Sequence, residues 1–337
     1  MDKRHVLFVA IATAVCSLAV SQSADAQAVD MQCLNDALTN ADDSTTAGEL
    51  RALCRERSSE AIPAPAAKAG PVYEQSLMAE RLANAEADND QPFMITTHQP
   101  SYFLWSMVDE PNIGPYLPLD PNVKLDDKEV MFQLSIKAPI WRNMFGSNID
   151  GYFGYTTKSY WQLFNDDFSA PFRETNYEPE LFMRKVAKRD VGSFGLLGWD
   201  LGINHQSNGR SEPISRSWNR VMGRAALQLN DDLSVLARAW WRVPEDDADD
   251  NNPGMYRYFG YGDVRAIWTP NRNTFTALLR PGTDEFSYEV TWSYPISRVF
   301  RVYALYYNGY GESMIDYDYK NERFGIGIAL NDFVGSQ

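Results

Sequence analysis

After residue 90 the dominant period of the chain is two. Val130, Phe132, Leu134, Ile136 and Ala138 alternate with Met131, Gln133, Ser135 and Lys137. Phe286, Tyr288, Val290, Trp292 and Tyr294 alternate with Ser287, Glu289, Thr291 and Ser293. Phe324, Ile326, Ile328 and Leu330 alternate with Gly325, Gly327 and Ala329. Alternation of this kind predicts strands with one apolar and one polar face. About twelve such segments can be counted between turn-rich breaks. They begin near Phe93, Asp127, Ile149, Arg173, Gly192 and Ser215, then near Leu233, Met255, Asn273, Asp284, Val299 and Ile315.

Two architectures fit the pattern. A soluble sandwich or barrel turns the apolar face inward, and a membrane barrel turns it outward. The apolar rows carry large aromatics near their ends, as an interfacial girdle requires, and the opposite rows carry Lys137, Arg224 and Glu289, which suit a polar lumen. The segments reach about 10 residues or more, the length of a tilted strand that crosses a bilayer. Backbone groups in lipid must all be paired, so the sheet must close. The prediction is therefore an all-β fold, a 12-stranded antiparallel transmembrane β-barrel over 91–337, with both chain ends on the periplasmic side because the strand number is even.

The first 90 residues follow another pattern. Lys3 and Arg4 precede an apolar run from Val6 to Val20, and small and polar residues follow it. That order predicts a cleaved secretory signal over 1–28, with two candidate cleavage sites, Ala24-Asp25-Ala26 and Ala26-Gln27-Ala28. Residues 29–58 read as a small helical appendage, and 59–90 as a linker rich in Ala and Pro at its start. Cleavage removes Cys16 and leaves Cys33 and Cys54, which an oxidising compartment would join in a disulfide.

Composition changes this picture little. There are 31 Lys+Arg against 45 Asp+Glu, a net charge of −14 that argues against a nucleic-acid partner. Polar mean hydropathy ordinarily signals a soluble protein, but an inside-out barrel is equally polar on average. The acidic run Glu245-Asp246-Asp247-Ala248-Asp249-Asp250 reads as a solvated loop, since its spacing does not match an EF-hand.

Parity then locates candidate chemistry. Of three histidines, His5 falls in the signal, and His98 is a second candidate, though nothing comparable surrounds it. His205 closes a segment in which Leu197, Trp199, Leu201 and Ile203 share the outward row, and Gly198, Asp200, Gly202 and Asn204 the inward one. His205 and Ser207 continue the outward row, about 7 Å apart along the strand. A hairpin centred near Glu212 would set Asn219 opposite His205. A serine needs a base to take its proton, and an asparagine carbonyl can hold the other ring N–H of that base. The bland alternative is a set of interfacial polar residues at a strand end, and parity alone does not separate the two.

The segments Asn204-His205-Gln206-Ser207-Asn208-Gly209-Arg210-Ser211, Ser215-Arg216-Ser217-Trp218-Asn219-Arg220, Pro171 to Pro179 and Gly309-Tyr310-Gly311-Glu312-Ser313 are similar to those of the bacterial outer-membrane phospholipase A family. The resemblance covers most of 93–333. It implies a calcium-dependent hydrolase of phospholipid acyl esters, of A1, A2 and lysophospholipase type, active as a homodimer. It implies Ser207 as nucleophile, His205 as base, Asn219 as orienter and the Gly209 N–H, with calcium-bound water, as oxyanion donor. Calcium would be held by the Arg210 carbonyl and the Ser215 hydroxyl, with Ser169 of a second subunit completing the site. Thr157 stands where the family has a glutamine that contacts the second subunit, so a weaker or differently built interface is expected. Gln206 replaces an acid common in the family and is expected to point inward, with little effect. A non-catalytic barrel, a porin or structural protein, is the alternative from another class. It would need an open lumen.

Overall fold

The computed structural model describes residues 78, 79, 81, 94–191 and 193–333, all within the compact unit Gly70–Gln337. The signal 1–28, the appendage 29–58 with Cys33 and Cys54, and nearly all of the linker 59–90 lie outside the described residues.

The strands are β1 (Thr96–Thr97), β2 (Ser101–Val108), β3 (Lys128–Trp141), β4 (Asp150–Trp161), β5 (Phe172–Val191), β6 (Phe194–Ser207), β7 (Ser217–Asn230), β8 (Leu233–Arg242), β9 (Gly262–Trp268), β10 (Thr274–Pro281), β11 (Phe286–Pro295), β12 (Arg301–Tyr310) and β13 (Lys320–Asn331). Strands β2 to β13 pair antiparallel in chain order, and β13 pairs with β2, which closes a twelve-stave barrel. The two-residue β1 lies beside β3.

The distribution of side chains decides between the two architectures. Outward positions carry Trp105, Ile203 and Trp241, 55%, 58% and 57% exposed, while inward Glu129 and Arg323 are wholly buried. Such an apolar coat around the circumference is unfavourable in water and suits hydrocarbon. No helix among the described residues is long and apolar enough to span a membrane.

The lumen is filled by paired charges. Arg173 binds Glu129 at 2.6 Å and Asp316 at 2.9 Å, and Arg323 binds Glu312 at 2.6 Å and Glu129 at 2.7 Å. Burying these ions is tolerable because each has an opposite charge and further hydrogen bonds. A lumenal cavity of about 130 Å³ is lined by Tyr102, Lys158, Arg220, Arg238, Arg265 and Glu289 among others. His98 belongs to this interior. It pairs with Glu180, which also binds Arg224, and it stacks on Phe182 at 5.3 Å.

Four predicted details differ. The first barrel strand, expected from near Phe93, is Ser101–Val108, with only the two-residue β1 ahead of it. Leu197 is buried rather than outward, because a bulge between Leu196 and Gly198 inserts a residue and reverses parity below it. The strand expected from Met255 begins at Gly262; Met255 packs among Trp218, Trp240 and Phe259 ahead of a helical turn, Tyr256–Phe259. The strand expected from Ile315 begins at Lys320, because Met314 and Ile315 are buried loop residues. Their N–H groups donate to Asn176 Oδ1 at 2.9 Å and Glu174 Oε1 at 3.2 Å. Apolar loop residues of this kind imitate a strand in a hydropathy pattern.

Candidate active site

The β6–β7 hairpin sets His205 opposite Asn219, Gln206 opposite Trp218 and Ser207 opposite Ser217. Inward side chains hold that register. Arg220 Nε donates to Asn204 Oδ1 at 2.9 Å, and Trp218 Nε1 donates to Gln206 Oε1 at 2.9 Å. Gln206 is thus turned inward, as expected. A slip of one residue would carry the whole outward row into the lumen, so these lumenal bonds fix what faces the lipid.

On the outward side, His205 Nδ1 lies 2.9 Å from Asn219 Oδ1. An amide oxygen can only accept, so the Nδ1–H donates and Nε2 keeps its lone pair. Asn219 Nδ2 donates in turn to Glu245 Oε1 at 3.3 Å. Ser207 stands two residues along the same face, half-buried, at the end of β6. Its hydroxyl makes no hydrogen bond among the described residues. Catalytic hydrogen bonds are often loose before substrate binds. Ile203, Val221 and Trp241 surround this end of the hairpin on the outward face, so the polar group borders an apolar wall.

The turn after Ser207 is braced by Asn208. Its Nδ2 donates to Ile214 O at 2.8 Å, and its Oδ1 accepts from Arg216 N at 3.0 Å and Arg210 N at 3.3 Å. Gly209 has φ +63°, and a Cβ there would lie 3.0 Å from the Tyr177 ring. A side chain would therefore meet both backbone strain and contact. The Gly209 N–H has no acceptor among the described residues.

The expected calcium ligands fall in neighbouring loops. Arg210 reaches from the β6–β7 turn to donate to Phe172 O at 2.9 Å, tying that turn to the start of β5. Ser215 Oγ accepts from Asn251 Nδ2 at 3.1 Å, and Asn251 Oδ1 accepts from Ser217 N at 2.9 Å. Ser169 ends the β4–β5 turn, exposed, with φ +56°. No group of three or more His, Cys, Asp or Glu able to hold a metal occurs among the described residues. A cation here would rely on neutral oxygens and water, and hydroxyl and carbonyl oxygens are hard donors that suit calcium.

The acidic run is solvated at Asp246, Asp247 and Asp249. At its ends it is not: Arg242 binds Glu245 at 3.2 Å and Asp250 at 2.7 Å. Asn208, Asn251 and Glu245 are the site residues that sequence reasoning did not single out. Only Asn208 carried a signal, as an Asn-Gly pair directly after the serine.

The family model described as Phospholipase A1 matches residues 78–330. A Phospholipase A1 of Klebsiella pneumoniae is 37% identical over 253 residues, covering 74% of this chain and 87% of that protein. One of Escherichia coli is 36% identical, covering 74% and 86%. Among solved structures, the outer membrane phospholipase A from Escherichia coli superposes with a TM-score of 0.70 at 35% identity, covering 77% of this chain and 98% of that one. The Salmonella typhi outer membrane phospholipase, a dimer with bound calcium, superposes with a TM-score of 0.69 at 34% identity, covering 73% and 97%.

Proposed function

The chain belongs to the phospholipase A1 family of outer-membrane enzymes, and we propose that Ser207, His205 and Asn219 carry its hydrolysis of phospholipid acyl esters. The observation that carries this reading is the His205–Asn219 hydrogen bond beside Ser207 on the lipid-facing wall. The protein is a multi-pass barrel of the bacterial outer membrane, and its substrates are the A1, A2 and lysophospholipid esters that reach this wall. The filled lumen and the family together set aside the porin alternative.

Ser207 Oγ attacks the ester carbonyl as His205 Nε2 takes its proton. Asn219 holds Nδ1–H, which keeps the ring in the accepting tautomer. The Gly209 N–H donates to the oxygen that becomes negative in the tetrahedral intermediate, a task typically worth several kcal/mol. Collapse of that intermediate breaks the C–O bond to the glycerol oxygen, which takes the proton back from His205 and leaves as the lysophospholipid. Water, deprotonated by His205 in the same way, then releases the fatty acid and frees Ser207.

The Arg210 carbonyl and Ser215 hydroxyl would hold calcium, with Ser169 from a second copy of the chain. When bound there, calcium supplies positive charge next to the developing oxyanion. Asn251 supports Ser215 for that role, because it uses one lone pair of the hydroxyl and fixes its place against β7. The likeness to a calcium-bound dimer supports a homodimeric active form. Fatty-acid release from phospholipid micelles by wild type and by Ser207→Ala tests the assignment; equal release would remove it.

A further inference from the structure

We propose that Glu245 is a positioning residue that sets the orientation of Asn219; this rests on the Ser207–His205–Asn219 reading above. Val243 N donates to Asn219 O at 2.8 Å, which carries the pairing of β8 with β7 one step beyond Arg220 opposite Arg242. Trp241, Val243 and Glu245 share one parity, so Glu245 follows the outward row. A line of polar groups then runs across three adjoining segments of the wall, from His205 to Asn219 to Glu245.

The carboxamide of Asn219 is nearly symmetric in shape, and sterics alone do not choose between its two orientations. Glu245 supplies the choice. A carboxylate accepts only, so it takes the Nδ2 hydrogens and leaves Oδ1 for His205 Nδ1–H. The flipped amide would set Oδ1 against the carboxylate and Nδ2 against the ring. The ring would then carry its hydrogen on Nε2 and could not accept the Ser207 proton. The negative charge on one side of the amide also polarises its carbonyl toward the ring. That restores part of the charge stabilisation an aspartate would give to the imidazolium. Glu245 is itself held, since Arg242 Nη2 donates to Oε2 at 3.2 Å and also binds Asp250.

The test uses the full-length protein in mixed micelles with calcium, comparing Glu245→Ala and Glu245→Gln alone and in an Asn219→Ala background. We expect Glu245→Ala to lower kcat about tenfold with KM unchanged, and Glu245→Gln to lower it less. In the Asn219→Ala background neither should cause a further loss, because the residue acts through the amide. Nitrogen-15 NMR of His205 should show Nδ1–H in wild type and a mixture of tautomers in Glu245→Ala. Unchanged kcat in Glu245→Ala, an equal loss in the Asn219→Ala background, or a shifted calcium titration would each overturn the proposal. The last would mean that the loop acts through Ser215 instead. Should Glu245→Ala fail to fold, Glu245→Gln carries the same comparison. Loss of activity in Ser207→Ala with normal Glu245 variants removes only this inference, whereas full activity in Ser207→Ala removes the triad itself.

Discussion

His205 and Asn219, 14 residues apart in the chain, meet in register across β6 and β7 with 2.9 Å between Nδ1 and Oδ1. The contact depends on two separate features of the hairpin. Alternation puts both residues on the outward side, and the lumenal Arg220–Asn204 and Trp218–Gln206 bonds keep the strands from slipping.

Asn219→Ala should therefore lower activity without abolishing it. The proposed nucleophile and base remain, while tautomer control and the amide's share in stabilising the imidazolium are lost. We expect a loss of about 10- to 100-fold in kcat, well short of that in His205→Ala. Steady-state kinetics of the two variants in parallel check the order.

Ser215→Asn should raise the calcium concentration needed for half-maximal activity. The substitution removes a hydroxyl donor from the expected site and disturbs the Asn251 contact. A chelator should silence wild type, and restored calcium should recover it. A calcium titration of rate in wild type and variant measures the shift.

Glu129→Ala should destabilise the barrel by about 3–5 kcal/mol, because it leaves two buried guanidinium groups, Arg173 and Arg323, short of a counter-charge. Glu129→Gln should cost less, since it keeps hydrogen-bond acceptance. Urea unfolding midpoints in vesicles read the difference.

Thr157 lies on the outward face of β4, between Leu134 of β3 and Tyr177 of β5. Thr157→Gln should strengthen self-association by about 1 kcal/mol, the scale of one polar contact between membrane segments. Sedimentation equilibrium in detergent would show it as a lower dissociation constant.

The period of two was enough to recover the strand class, the inside-out polarity and the outward placement of His205, Ser207 and Asn219, because no bulge falls between Gly198 and Ser207 in the pairing of β6 with β7. It failed at Leu197, where the bulge reverses parity, and at Met255 and Ile315, where apolar loop residues are buried for tertiary reasons. Glu245 was illegible for a different cause. It reaches Asn219 across 26 residues from the loop after β8, and within an acidic run nothing in spacing or composition marks one carboxylate as bound and the next as solvated.

Everything above turns on the proposal that this hairpin hydrolyses phospholipid esters from the lipid-facing wall. The most direct measurement is release of fatty acid and lysophospholipid from phospholipid mixed micelles, with calcium and with chelator, by wild type and by folded Ser207→Ala. Wild type should give calcium-dependent release, and Ser207→Ala a loss of at least about 10³-fold. Release by Ser207→Ala at the wild-type rate, or no calcium-dependent release by wild type, would contradict it.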